Sequence, residues 1–260
     1  QQPKPLTSRQ CLSTCRSDLG LGTMTGRRLS ALLLVPVLLM TSACGETTDR
    51  DGKYDPPSAG ATPGDGASET PAADGECTYT KDPGGKAART VKFPPAKPTA
   101  TKPVNLTITT NFGKVPITLD PSKAPCAVNS SISLVNQKYF DKTPCHRIAV
   151  DEGFQMLQCG DPTGTGTGGP GYVYAEETSP DLTYPAGTLA MANTGQPNSQ
   201  GSQFFLVFGD TQLSPDYTVF GTFGAPGIAV LKTIAKNGIK NAMSAGGGNP
   251  KQPVEIVSIG

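Results

Sequence analysis

Apolar and polar residues alternate in two neighbouring stretches, residues 104–110 (VNLTITT) and 115–119 (VPITL), with Asn-Phe-Gly-Lys between them. A period of two places one set of side chains on one face of a strand, so the pattern predicts a β-hairpin at the head of an antiparallel sheet. The spacing changes after Pro125. Ala127, Ile132 and Val135 follow one another at mixed helical intervals as far as Lys138, which predicts a short helix opened by the proline. Residues 228–235 (IAVLKTIA) predict a second helix, with Asn237 and Gly238 as its stop. The other apolar segments, around Arg147, Leu157, Leu189, Phe205 and Val219, are short and separated by Gly, Pro and Asn turns. That is the pattern of a mainly β protein, a closed or nearly closed antiparallel barrel of about eight strands with two helices.

The chain ahead of this region has another texture. Residues 45–103 contain nine prolines, no Leu, no Ile and Val91 alone of the valines. Such a stretch cannot bury enough apolar surface to offset its chain entropy, so residues 44–103 read as a flexible Pro/Gly-rich linker and the folded domain is expected over 104–260. Further upstream, Arg27 and Arg28 precede the apolar run 31–40 (ALLLVPVLLM) and the small residues Thr41, Ser42 and Ala43. This is the layout of a signal peptide over 24–43, because an apolar run of this length is too short for a bilayer, which needs about twenty residues. Cys44 stands directly after the small residues, as in a bacterial lipobox, although Thr41 occupies a place where such motifs usually have Leu. The expectation is export to the outer face of the cell membrane with a lipid anchor on Cys44; the competing reading is ordinary secretion with Cys44 incidental. Residues 1–23 precede a well-formed start at Met24 and are expected to be an extension outside the natural product.

Charge and composition narrow the chemistry. Residues 104–260 hold nine Lys/Arg against eleven Asp/Glu, with no basic stripe, so a nucleic-acid partner is not expected. Trp is absent and His146 is the one histidine, which argues against sites built on paired histidines; no metal and no cofactor are expected. Apart from Cys44, the residues downstream of Met24 include Cys77, Cys126, Cys145 and Cys159, an even number suited to two disulfides in an oxidising compartment.

Five stretches then occur in a fixed order: 140–148 (FDKTPCHRI), 158–172 (QCGDPTGTGTGGPGY), 187–193 (GTLAMAN), 198–205 (NSQGSQFF) and 217–221 (YTVFG). Together they resemble the signatures of the cyclophilin family of peptidyl-prolyl cis-trans isomerases, and the resemblance covers nearly all of 104–260. It implies an eight-stranded cyclophilin-like barrel capped by two α-helices, with the site on the outer face of the barrel. It also implies a reaction without bond cleavage: rotation about an X-Pro amide, whose resonance barrier is roughly 20 kcal/mol. Such a site needs an apolar pocket for the proline ring, hydrogen bonds to the flanking backbone, and a cation that favours the twisted imide over the planar one. On the family pattern, Arg147 matches that cation, with Gln158 and Asn193 as further catalytic polar residues. Met156, Phe205 and Leu213 match pocket residues, Gln203 a polar contact and Ala192 a backbone contact.

Departures from the pattern shape further expectations. Arg147 and Gln158 lie eleven apart, about three more than is common in the family, so a longer turn or a bulge is expected before Met156, leaving Phe154 or Gln155 to complete the pocket wall. Phe154 is the first choice. Tyr217 stands where many members have His, and Gln212 where many have Trp. Loss of an indole removes apolar area and an N–H donor, so weak cyclosporin binding is expected. The strand pairing implied by the family makes Cys145 and Cys159 the first choice for a disulfide, leaving Cys77 with Cys126; the competing reading is four free thiols. His146, next to Arg147 on a strand, should point to the opposite face and serve structure. The glycines of 160–171 suit turn geometry better than a phosphate loop, since no Lys-Ser/Thr follows them. The expected partners are Pro-containing segments of exported proteins, met by a monomer. The alternative function is a non-catalytic proline-segment binding module or holding chaperone on the same fold.

Overall fold

The computed structural model describes residues 75–85 and 87–260. The expected extension 1–23, the signal peptide 24–43 and Cys44 lie outside the described residues. The elements are, in order, β1 (Thr80–Lys81), β2 (Val104–Thr110), β3 (Gly113–Leu119), α1 (Pro125–Asn136), β4 (Thr143–Cys145), β5 (Arg147–Asp151) and β6 (Phe154–Cys159). There follow β7 (Tyr172–Val173), β8 (Thr188–Met191), β9 (Phe204–Val207), β10 (Val219–Phe223), α2 (Ala225–Lys236), β11 (Ile239–Lys240), β12 (Asn249–Pro250) and β13 (Val254–Ile259).

Nine of the strands form one antiparallel sheet in the order β4-β13-β2-β3-β10-β8-β9-β6-β5. Its two end strands, β4 and β5, are separated in sequence by His146 alone, so the sheet curls back on itself into a nearly closed barrel. This is one strand more than the eight expected. The predicted hairpin is β2–β3, paired from Val104↔Leu119 to Thr110↔Gly113, so Gly113 and Lys114 belong to the second strand and the turn is shorter than expected. The two strands of this sheet with no segment named for them in the sequence expectations are β4 and β13, which pair with each other, and β13 joins β4 to β2.

Alternation fills the barrel. Ile108, Val115, Ile117, Leu119, Ile148, Leu157, Leu189, Leu206, Phe220 and Ile256 form one buried cluster, all at most 5 % exposed. Both predicted helices are present, α1 ending two residues earlier than expected and α2 starting three earlier. Leu231 and Ile234 of α2, and Leu134 and Val135 of α1, dock against the same cluster. Ala124 offers α1 no capping side chain; instead the Glu177 carboxylate accepts the N–H groups of Cys126 (2.9 Å) and Ala127 (2.8 Å).

The expected linker is fixed to the domain well before residue 103. Cys77 is buried and disulfide-bonded to Cys126 with a Cα separation of 5.4 Å, and β1 pairs with β7. Tyr79 donates to the Cys126 carbonyl, Asn129 donates to the Pro95 carbonyl, and Arg89 donates to the carbonyls of Tyr139 and Asp141. Low apolar content did not leave this segment detached, because covalent and polar ties are joined by its few apolar side chains: Tyr79 and Val91 pack against the core, and the Tyr79 and Phe93 rings meet Tyr172 at 5.6 and 4.9 Å.

Candidate active site

Three strands carry the centre of the site side by side. Gln158 pairs with Arg147 on one side and Phe205 on the other, Met156 pairs with Ala149 and Val207, and Phe205 pairs with Ala190 of β8. Directly opposed residues point to the same face, so all of these share the outer surface, while Ile148, Leu157, Leu206 and Leu189 point into the barrel. Ala149, Met156, Tyr184, Ala190, Phe205 and Val207 form a second buried apolar cluster on that outer face, separate from the interior one. Phe154, Ala192, Leu213 and Tyr217 pack against it as half-exposed neighbours.

Neither the longer turn nor the bulge expected before Met156 is present. The β5–β6 pairing runs without interruption through five pairs, from Arg147↔Gln158 to Asp151↔Phe154, and closes in a two-residue turn of Glu152 and Gly153, with Gly153 at φ +75°. The additional residues lengthen the hairpin and leave its register intact, so face alternation is preserved up to Arg147. This parity puts Phe154 on the face of Met156 and Gln158. Gln155 has the other parity and lies over Gly209, where an added Cβ would come within 1.8 Å of its Oε1 atom.

Loops complete the patch. Leu213 and Tyr217 come from the segment after β9, and the Tyr217 ring meets Phe205 edge to face at 5.5 Å. Tyr184, which the sequence reading did not single out, holds Tyr217 at both ends of its peptide unit: its hydroxyl donates to the Tyr217 carbonyl and accepts the Tyr217 N–H, each at 3.0 Å. Asn193 donates to the Asp216 carbonyl at 2.8 Å and accepts the Gly195 N–H, so it ties the loop after β8 to the loop that carries Tyr217. The Ala192 N–H donates to the Gln203 carbonyl at 2.9 Å. Gln212 is exposed and its N–H donates to Gly153, so it sits on the β5–β6 turn at the edge of the patch.

Arg147 is half-buried and held from three sides. Its Nε donates to the Gly246 carbonyl (3.1 Å), one terminal nitrogen donates to the Ala245 carbonyl, and the other donates to Gln158 Oε1 (3.3 Å). The guanidinium carbon lies 5.4 Å from the centre of the Phe154 ring, within cation–π range. Burial pushes the guanidinium below its ordinary value, with the Tyr217 phenol acting in the opposite direction, yet an arginine stays charged at working pH. Gln158 passes the chain of contacts on: its Nε2 donates to Gln203 Oε1 (2.9 Å), and Gln203 donates to the carbonyls of Gly166 and Gly168. The carbonyls of Ala245 and Gly246 were not among the sequence candidates. The only local signal for them is the run Gly246-Gly247-Gly248, in which a Cβ on Gly247 (φ +67°) would come within 2.4 Å of the Ile148 carbonyl oxygen.

The neighbours of the site residues behave differently. His146, at the corner between β4 and β5, is 6 % exposed and is kept below its ordinary pKa by burial, with Asp161 opposing and Arg147 reinforcing that shift. The Gly-rich loop is organised by Asp161, a fully buried carboxylate that accepts the N–H groups of Thr163 (2.7 Å), Gly166 (2.7 Å) and Gly168 (3.1 Å) and the Thr163 hydroxyl. Burial opposes ionisation of Asp161, but these bonds outweigh it and hold the acid below its usual range. Cys145 and Cys159 form the expected disulfide with Cα atoms 4.0 Å apart. Their opposition is not that of a simple hairpin, since Cys145 leaves the β5 register at His146 and pairs with Val254 of β13.

The site therefore offers a fixed cation beside an apolar, aromatic-walled floor, with amides arrayed along one edge. Among the described residues no group of three or more His, Cys, Asp and Glu side chains is placed to hold a metal ion. The family model described as cyclophilin type peptidyl-prolyl cis-trans isomerase/CLD matches residues 105–260. A probable peptidyl-prolyl cis-trans isomerase B of Mycobacterium leprae is 46 % identical over 188 residues, covering 67 % of this chain and 62 % of that protein's own length. The peptidyl-prolyl cis-trans isomerase A of Mycobacterium tuberculosis is 36 % identical over 171 residues, covering 59 % of this chain and 89 % of its own length. A crystal structure of a Cryptosporidium parvum cyclophilin type isomerase superimposes with a TM-score of 0.53 at 30 % identity, over 60 % of this chain and 96 % of that one; the same enzyme in the presence of the dipeptide Ala-Pro gives 0.52. Barrel, helices and five motifs in order agree with these matches, and the chain belongs to the cyclophilin-type peptidyl-prolyl cis-trans isomerase family.

Proposed function

We propose that this protein is a peptidyl-prolyl cis-trans isomerase that accelerates rotation about X-Pro bonds of exported proteins. The observation that carries the reading is the placement of Arg147: charged, half-buried, held by Gly246, Ala245 and Gln158, and on the same face as Met156 and Phe205. A proline ring seated on Phe154, Met156, Phe205, Leu213 and Tyr217 would bring its imide nitrogen towards that guanidinium. As the amide twists, conjugation is lost and the nitrogen lone pair becomes a better acceptor, so a cation that needs no reorientation stabilises the twisted state more than the planar one. Gln158, Gln203 and Asn193, with the backbone at Ala192, would hold the flanking peptide.

Export and anchoring belong to the same proposal. The signal-peptide pattern of 24–43 and Cys44 support it, as do the pairs Cys77–Cys126 and Cys145–Cys159, since such bonds persist outside the reducing cytosol. The decisive measurement is the cis-to-trans rate of an Ala-Pro test peptide with and without protein. A rate rising in proportion to protein concentration supports the isomerase. Saturable binding of the peptide with an unchanged rate would instead support the non-catalytic module.

A further inference from the structure

Next to the proline patch, a groove of about 570 Å³ opens along the same edge of the barrel. It shares Gln158, Gln203, Ala192 and Asn193 with the site just described and is lined as well by Gly168 and Ser199. Part of its lining comes from outside the region matched by the family model: Asp82 and Pro83, on the segment that precedes β2. Among the described residues that line the groove, Asp82 carries the one charged side chain.

The position of Asp82 is built rather than incidental. Its N–H donates to the Gly171 carbonyl (3.0 Å), and the neighbouring Ala88 N–H donates to the Gly169 carbonyl (2.9 Å). The preceding residues pair as β1 with β7, and the whole segment is bonded to α1 through Cys77–Cys126. The Asp82 side chain is half-buried, and its Oδ1 accepts the Gly84 N–H at 2.9 Å, which fixes the carboxylate over its own turn. Gln203 immediately precedes β9 and lies two residues from Phe205, about 7 Å at the rise of an extended chain. A peptide extended from the proline patch would thus bring a side chain two or three residues from its proline into this groove.

We infer that Asp82 is a specificity-determining residue that selects client segments with a Lys or Arg two or three residues from the isomerised proline. The inference rests on the isomerase reading only for the place of the proline. A carboxylate at the wall of a groove attracts a cationic side chain and repels an anionic one, and the contrast between the two is larger than either effect alone.

The test uses the full chain and blocked octapeptides with a central Ala-Pro, carrying Lys or Glu at the second or third residue on either side of the proline. The readout is the ratio of kcat/KM for the Lys peptide to that for its Glu counterpart. For the native protein in low salt this ratio is expected to be about fivefold at one of these positions, on the scale of one exposed attraction plus one repulsion, and to collapse in 0.5 M NaCl. Asp82→Asn, whose amide oxygen can still accept the Gly84 N–H, should bring the ratio close to one, and Asp82→Lys should invert it. A residue that only shaped the groove would change both peptides alike. A ratio that is the same in the native protein and Asp82→Lys overturns the inference. If no peptide is turned over by the native protein, the isomerase reading fails, and the same Lys-to-Glu ratio taken from Kd values by NMR titration decides the role of Asp82.

Discussion

The barrel interior and the outer patch are made by the same strands, residue by residue in alternation, yet they are different materials. Leu157 and Leu206 face inward among Ile148, Leu189 and Ile108, all at most 2 % exposed, with no polar partner to satisfy. One position along each strand, Met156, Gln158, Phe205 and Val207 face outward, and their apolar cluster ends at half-exposed Phe154, Leu213 and Tyr217 and at the guanidinium of Arg147. The interior is closed on all sides, so each side chain there contributes its full burial to stability. The outer cluster leaves one side open, and that open side is what a ligand can cover. Two neighbouring residues on a strand can therefore answer to different demands, one to folding and the other to binding.

The largest break in this comparison is expected inside. Leu157→Ala would leave a cavity in a closed core and should lower unfolding stability by about 3 to 5 kcal/mol in urea titration, while the isomerase activity per folded molecule stays near that of the native protein. Comparable loss of activity in the fraction still folded would show that the two faces are coupled. Removing the Cys145–Cys159 bond by Cys145→Ala with Cys159→Ala should cost about 3 kcal/mol on chain-entropy grounds for a separation of 14 residues. Peptide mapping of the non-reduced protein should recover the Cys145–Cys159 and Cys77–Cys126 fragments; four alkylatable thiols would remove the basis of that figure.

On the outer face the expected signs reverse. Arg147→Ala should lower kcat/KM at least tenfold, about 1.4 kcal/mol of transition-state stabilisation, with an unfolding midpoint close to that of the native protein. An unchanged kcat/KM would falsify the role given to the guanidinium. At the edge of the patch, Gln212→Trp should tighten cyclosporin by about 1 kcal/mol, the scale of one hydrogen bond plus some aromatic burial. Calorimetric titration giving equal or weaker affinity would reject that account.

The smallest effect sharpens the contrast between adjacent residues. Burial keeps His146 below its ordinary pKa in the folded state, so between that value and about 6.5 the unfolded chain binds the additional proton. Stability should then fall as the pH is lowered through this window, by up to about 0.7 kcal/mol between pH 7 and pH 6, and His146→Gln should flatten the slope. An identical slope in the variant would place the titration elsewhere.

Much of this architecture was legible residue by residue. Alternation in 104–110 and 115–119 located the first hairpin and Pro125 marked the start of α1, because each is a local property with a period of two or a steric rule attached, whereas the outer-face position of Arg147 and Gln158 was implied by the family resemblance alone. The eleven-residue spacing from Arg147 to Gln158 was equally visible, but its outcome was not: a bulge and a longer hairpin have the same length, and only the uninterrupted pairing with β6, itself held by β9, selects the second.

What the sequence by itself determined is where the first hairpin and the two helices lie and which chemistry the chain brings: a single histidine, no tryptophan, family motifs that carry Arg147, Gln158 and Phe205, and four cysteines downstream of Cys44. Tertiary structure alone decided what holds and extends the site. The carbonyl that accepts from Arg147 Nε lies 99 residues away at Gly246, Asp161 draws a loop of glycines around one buried carboxylate, and a segment poor in apolar residues is fastened beside the groove by Cys77, by Tyr79 and by backbone pairing. The physical reason is the range of the interaction. Side-chain alternation is written into every dipeptide of a strand, whereas a backbone carbonyl or a polar segment acquires its partner only when the barrel closes and brings distant parts of the chain within hydrogen-bonding distance.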